Sequence, residues 1–173
     1  MWSEWIKPLS VIALVMFSFR SAVADWNDVP TGSMKPTILE GDRIFVNKVA
    51  YDLKVPFTTI HLAKWDHPQW GDVVVLRSPE DGKRLVKRVV GLPGDILEIR
   101  GKNLVRNGEY AEHASLDQEL IEWIDPADRP SFYFAEEQVG ERAHAIMVKQ
   151  PGGMAYSPYP SFWGPYVVPE GQY

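Results

Sequence analysis

A coiled, antiparallel, mainly β domain following one N-terminal apolar helix is the fold this sequence predicts, and three observations predict it. A long uncharged run, "PLSVIALVMFSF" from Pro8 to Phe19, stands near the N-terminus. Beyond it, short runs of β-branched and aromatic residues alternate with Gly-Asp, Pro-Gly and Asn-Gly pairs, the grammar of strands joined by tight turns. The composition agrees: 7 Trp, 7 Tyr, 7 Phe, 14 Pro and 13 Gly in 173 residues suit strands and turns better than a helix bundle. A chain of this length holds one domain with its own core, or a small domain plus an anchor, and not two full domains.

The N-terminal run extends to Ala24 with a single charge, Arg20, which makes about 17 residues, the short edge of a bilayer span. Trp5 and Ile6 lengthen it, and Lys7 and Arg20 can snorkel to the two interfaces. The same residues admit a cleaved signal peptide, with Ala22-Val23-Ala24 as a small-x-small cleavage site before Asp25 and a weakly basic start in which Glu4 offsets Lys7. A buried helix of a soluble protein is a third reading. Anchor and signal are evenly matched on residues alone, and both place the remaining chain outside the cytoplasm. Lys7 supports a cytoplasmic N-terminus under the positive-inside rule.

The elements that follow read in order. "GDRIFVNK" opens on a Gly-Asp turn and gives a short strand through Arg43, Ile44, Phe45 and Val46. Gly71-Asp72 starts a strand running through Leu76, Pro79 to Gly82 forms a hairpin turn, and Arg84 to Val90 returns. Leu92-Pro93-Gly94-Asp95 turns into a strand from Ile96 to Ile99, and Asn107-Gly108 joins "KNLVR" to "EYAEH" as a two-residue hairpin. Ser115 to Ile124 reads as a short helix, Ser131 to Phe134 and Ala143 to Lys149 as strands, and "PGGMAYSPYPSFWGPY" as a Pro, Gly and aromatic loop. Internal repeats and low-complexity tracts are absent from the sequence.

A formal net charge of −5 without a basic stripe argues against a nucleic-acid partner. The absence of cysteine excludes disulfides, thiolate metal sites and a cysteine nucleophile. A serine nucleophile remains possible in "TGSMKPTILEGD", Thr31 to Asp42, where Gly32 and Pro36 constrain the bend around Ser33. That geometry suits an ordinary loop equally well. None of His61, His67, His113 and His144 lies in a recognisable motif, and His61 and His67 read as surface or turn histidines.

Lysine is the next candidate base. Strand periodicity in "RLVKRVVG" places Leu85, Lys87 and Val89 on one face, and apolar surroundings disfavour the ammonium, freeing a neutral amine to take the serine proton. The competing reading is a lysine snorkelling out of an edge strand. Lys35 and Lys48 sit beside turns and read as solvated. Ser-Lys pairs are a known variant of triad logic.

These blocks together resemble the type I signal peptidases, membrane-bound serine proteases that remove signal peptides from exported proteins. Thr31 to Thr37 matches the family's nucleophile block, Gly41 to Lys48 matches its Gly-Asp-x-hydrophobic-x-Val-x-Lys block, and Lys87 to Asp95 matches the block that carries the base. The blocks stand in order over Trp5 to Leu97. The resemblance implies Ser33 as nucleophile, Lys87 as general base, and an oxyanion hole made by the Ser33 N–H and the Thr31 hydroxyl. It implies that substrate adds as an extended strand between the segment around Asp28 to Pro30 and the Arg84 to Lys87 strand, with Val29, Pro30, Met34 and Leu85 shaping pockets for small side chains. Arg88, Gly94 and Asp95 are expected to be architectural. No metal and no organic cofactor is implied.

The resemblance also favours a retained anchor over residues 1–25, single-pass in the cell membrane, with residues 26–173 as a periplasmic peptidase domain in which 104–163 is a variable elaboration. The expected partners are exported preproteins and the lipid bilayer. Self-cleavage at Ala22-Val23-Ala24 is a further expectation. The family carries a later Gly-Asp-Asn block, with a serine that bonds the lysine, after "VPEG-x-aromatic". This chain ends in "VVPEGQY", and a fragment lacking that C-terminal part is expected. The alternatives are an inactive or truncated membrane-anchored β module that binds extended peptides without cutting them, and a related self-cleaving or conjugation-linked Ser-Lys peptidase.

Overall fold

The computed structural model describes residues 2–101, 103–139, 142–150 and 162–173. These residues form a helix followed by antiparallel sheets, the fold class that the sequence predicts. The chain divides into two compact units, one comprising Met1–Val29 and Gly41–His67, the other Pro30–Glu40 and Pro68–Tyr173.

The first unit begins with helix α1 (Trp2–Ala22), apolar and long enough from Trp5 onward to cross a membrane, with its side chains almost wholly exposed. Strand β1 (Ala24–Asp28) follows after one residue and pairs antiparallel with β2 (Arg43–Asn47), from Ala24 opposite Asn47 to Asp28 opposite Arg43. Lys48 closes the junction. Its Nζ donates to Arg20 O at 2.9 Å and Ser21 O at 3.2 Å, the C-terminal carbonyls of α1, and lies 3.5 Å from the Asp25 carboxylate. Burial works against an ionised Asp25, but the Arg20 hydrogen bond, Lys48 and the Trp26 N–H outweigh it and hold the carboxyl below its usual range. Lys48 is therefore tethered rather than solvated. A second hairpin pairs β3 (Asp52–Lys54) with β4 (His61–Lys64).

Ala22 and Ala24 are buried, and Ala24 is paired in the ladder. A cut at Ala22-Val23-Ala24 therefore requires β1 to leave β2.

Among the described residues, the second unit holds three sheets. Strands β5 (Val73–Arg77) and β6 (Arg84–Arg88) form a hairpin with Val74 opposite Lys87 and Leu76 opposite Leu85. The next sheet is built from β7 (Ile96–Arg100), β8 (Asn103–Arg106) and β9 (Glu109–Tyr110), with β13 (Phe162–Val167) added on the outer side of β7. The third orders β10 (Glu112–Ala114), β11 (Phe132–Val139) and β12 (Arg142–Lys149). Asn107 and Gly108 both take positive φ, 54° and 85°, as a primed hairpin turn demands. Trp70, Ala111, Leu92 and Leu104 make an apolar cluster, and Val105, Ile124 and Ala135 are buried to 2% exposure or less.

Several elements differ from the sequence reading. The returning strand stops at Arg88 rather than Val90, because Val89 turns its N–H to Asp72 O and its carbonyl to Gly71 N–H. The short helix covers only Gln118–Glu122 (α2), capped by the Asp117 carboxylate. The stretch read as a loop from Pro151 onward is a strand over Phe162–Val167, while 151–161 lie outside the described residues. Its pairing with β7 shifts register between Trp163 and Tyr166, where Gly164 and Pro165 sit. A Cβ on Gly164 would stand 2.5 Å from Leu97 O, so the close approach of the two backbones requires glycine.

Candidate active site

Ser33 lies in the irregular loop Pro30–Glu40. Met34 and Pro36 are buried and pin the loop to its unit, while Ser33 between Gly32 and Met34 stays exposed. Two backbone bonds close the turn, Lys35 N–H to Gly32 O at 3.1 Å and Ile38 N–H to Met34 O at 3.0 Å. Gly32 is required by space: a Cβ there would meet Glu40 Oε1 and Lys35 Cε at 2.9 Å. Lys35, expected in solvent, instead folds back across the loop with Nζ 3.5 Å from Glu40 and a mostly covered side chain.

Lys87 reaches the same point from β6. Its Nζ lies 2.5 Å from Ser33 Oγ, a short contact between residues far apart in sequence. Lys87 is half-buried and Val89 beyond it is 3% exposed, yet β6 shows no clean alternation, with Leu85, Val86, Lys87 and Arg88 all half-buried. In the described structure β6 pairs only with β5, so its other edge carries no strand.

Arg88 bridges the two segments that carry this contact. Nη1 donates to Gly71 O at 2.8 Å and Nη2 to Thr37 Oγ1 at 3.2 Å, tying the end of β6 to the turn before β5 and to the serine loop. Burial lowers the basicity of this guanidinium, and the negative charge of Glu137 opposes that effect. Gly94, at φ 88°, donates its N–H to Val168 O. Asp95 is 7% exposed and accepts from Leu92 N–H, Arg106 Nε and Asn107 Nδ2, each at 2.8 Å. Burial raises its pKa, but those three donors more than offset it and hold the carboxyl below its usual range.

The remaining predicted residues are less convergent. Thr31 is exposed on the serine loop, Pro30 is exposed at its start and Met34 is buried beneath it. Leu85 is half-buried on β6 two residues before Lys87. Val29 is buried in the first unit, where its N–H donates to Asp42 O and its carbonyl accepts from Gly41 N–H.

Residues that sequence reasoning passed over also meet here. Thr37 and Gly71 receive Arg88, while the row of half-buried His113, buried Glu137 and half-buried His144 lies in the third sheet. The histidines gave no local signal, since their common partner is set by strand register rather than spacing.

Chemically, the pair is a hydroxyl and an amine at proton-transfer distance. With the amine neutral, Ser33 donates to Lys87 and gains nucleophilic character; with it protonated, Lys87 donates to Ser33. Ser33 is exposed, and among the described residues β6 has a strand partner, β5, on one side alone.

The profile described as signal peptidase, peptidase S26, matches residues 2–173. Signal peptidase I of Pseudomonas aeruginosa is 34% identical over 145 residues, covering 83% of this chain and 49% of that protein. Signal peptidase I of Pseudomonas fluorescens is 33% identical over 172 residues, covering 98% of this chain and 57% of that protein. The chain thus spans about half the length of the curated relatives it matches. With a family match along the whole chain and a serine and lysine brought into contact from its two motif blocks, the protein belongs to the signal peptidase family, peptidase S26.

Proposed function

We propose that this protein is a membrane-bound serine endopeptidase that removes signal peptides from exported preproteins after small-x-small sites, using Ser33 and Lys87. The observation that carries this reading is the 2.5 Å contact between Lys87 Nζ and Ser33 Oγ. Ser33 Oγ attacks the scissile carbonyl while its proton passes to Lys87 Nζ. The tetrahedral oxyanion is met by the Ser33 N–H and the Thr31 hydroxyl. Collapse expels the amine of the mature protein, which takes the proton back from Lys87, and leaves an acyl-enzyme on Ser33. Water, deprotonated by the same lysine, then releases the signal peptide.

Substrate binds as a strand along the edge of β6 that no described strand covers, with main-chain hydrogen bonds giving affinity. Pro30, Met34 and Leu85 shape the small pockets, and Arg88, Gly94 and Asp95 hold the scaffold. Helix α1 anchors the chain by a single pass, with the remainder of the chain on the periplasmic side.

The test is cleavage of a preprotein bearing an Ala-x-Ala site by the full chain in detergent, beside Ser33→Ala and Lys87→Ala. Cleavage at that site by the parent, lost at least a thousandfold in both variants, is expected. Equal turnover by parent and Ser33→Ala overturns the assignment. Binding of an Ala-x-Ala peptide without cleavage favours a peptide-binding module instead.

A further inference from the structure

Lys35 and Glu40 have no part in the reaction proposed above, yet their side chains close over the backbone that presents Ser33. Lys35 Nζ lies 3.5 Å from Glu40 Oε2, and the Lys35 side chain is 22% exposed, where a lysine beside a turn would ordinarily extend into water. An exposed ion pair contributes little to stability by itself. What this pair touches sets it apart. The three atoms nearest to the position a Cβ would take on Gly32 are Glu40 Oε1 and Lys35 Cε, both at 2.9 Å, and Lys35 Cδ at 3.0 Å. Gly32 does not adopt positive φ, so its backbone conformation is open to other residues, and the two side chains packed on its Cα are what exclude a Cβ.

The backbone beneath the pair is held by the same lysine. Lys35 N–H donates to Gly32 O at 3.1 Å. Gly32 O and the Ser33 N–H belong to one planar trans peptide, so a carbonyl turned toward Lys35 sends the Ser33 N–H to the opposite side. Residue 32 is thus gripped twice, at its carbonyl by the Lys35 main chain and at its Cα by the Lys35 and Glu40 side chains. Met34 and Pro36 are buried and anchor the loop independently. What is left for the pair to fix is the orientation of a single peptide.

We propose that Lys35 and Glu40 are positioning residues: their ion pair, packed on Gly32, holds the Gly32–Ser33 peptide so that the Ser33 N–H stays turned toward the developing oxyanion. A peptide able to rotate would lose that donor while Ser33 Oγ and Lys87 Nζ remained in contact. The kinetic part of this inference rests on the proposed peptidase reading; its structural part does not.

The experiment measures hydrogen-exchange protection factors on the full chain in detergent for the parent, Lys35→Met, Glu40→Gln, their double variant, Lys35→Glu, and the swap that combines Lys35→Glu with Glu40→Lys. Each neutral variant is expected to lower protection of the residue 35 amide about threefold, with the double variant matching either one. Lys35→Glu, which sets two carboxylates together, lowers it about tenfold, and the swap returns it to within about twofold of the parent. The Ile38 amide, bonded to Met34 O, keeps its protection within about twofold throughout. Unchanged protection at residue 35, additive effects in the double variant, a swap that restores nothing, or an equal loss at Ile38 overturns the proposal. If Lys35→Glu fails to fold, the neutral variants and their double decide it by the same criteria. Where the parent cleaves a preprotein bearing an Ala-x-Ala site, Lys35→Glu lowers kcat about tenfold with KM within about twofold, because the donor acts on charge that develops in the transition state, and the swap recovers most of the loss. A change confined to KM overturns the positioning role. A parent that does not cleave removes the peptidase reading and leaves the exchange result to decide whether the pair holds the peptide.

Discussion

Replacing Asp95 by Asn keeps the shape of the side chain and removes its charge, which makes it a sharp probe of the turn that leads into β7. Oδ2 accepts from Leu92 N–H and Arg106 Nε, and Oδ1 from Asn107 Nδ2, so three donors converge on two oxygens. An amide offers one oxygen. Turned toward Leu92 and Arg106, it sets its NH2 against the Asn107 amide; turned the other way, it opposes the Arg106 guanidinium with another donor. Either orientation loses the ion pair with Arg106, whose side chain is 23% exposed. Breaking a buried pair costs about 3–5 kcal/mol, and the surviving hydrogen bonds return part of it, leaving about 2–4 kcal/mol. With a urea slope of about 2 kcal/mol per molar, the midpoint should fall by roughly 1–2 M. Far-UV circular dichroism in urea, on the chain in detergent, reads this shift. The folded pKa of Asp95 lies below its ordinary value of 3.8, so its contribution is complete above that value and fades as pH falls toward the folded pKa. The gap between parent and variant should therefore be constant near neutrality and narrow below about pH 4. A midpoint change under about 0.3 M at pH 7, or a gap that widens in acid, refutes the reasoning.

Other substitutions test the remaining scaffold. Gly91→Ala puts a Cβ at 2.6 Å from Leu97 Cδ1 and 3.0 Å from Val168 Cγ2, an overpacking expected to cost about 1–3 kcal/mol in thermal unfolding; an unchanged Tm contradicts it. Lys48→Met removes the donor to Arg20 O and Ser21 O and should destabilise the end of α1 by about 1–2 kcal/mol, read as faster amide exchange over Val23 to Trp26; unaltered exchange there counts against the cap.

Local chemistry explains which parts of this structure were readable from residues. The hairpins at Pro79 to Gly82 and Asn107-Gly108, and the strands around them, are announced by turn residues whose conformations few others adopt. Strand β1 was not announced: "ADWND" carries two Asp and an Asn, poor strand formers, and becomes a strand only because β2 lies beside it. Strand β13 was hidden by the Gly164-Pro165 bulge, which reads as a loop until its pairing with β7 is known. At the candidate site, Ser33 and Lys87 were singled out from motif blocks, and the structure brings the two side chains into contact. The tethering of Lys35 and Lys48, and the Glu137 row, depend on register and loop closure between residues distant in sequence, which no local pattern encodes.

The two backbone bonds that join Val29 to Gly41 and Asp42 have a modular consequence. They continue the β1 and β2 ladder one step past the Asp28 and Arg43 pair, so the serine segment leaves and returns through a single closed rung. Topologically it is a cassette set into the tip of a hairpin. Excising Pro30 to Glu40 in favour of a two-residue turn would leave every rung below it in register. Ser33 is thus carried by an insert, and the hairpin beneath would serve as a scaffold onto which loops of other lengths could be grafted.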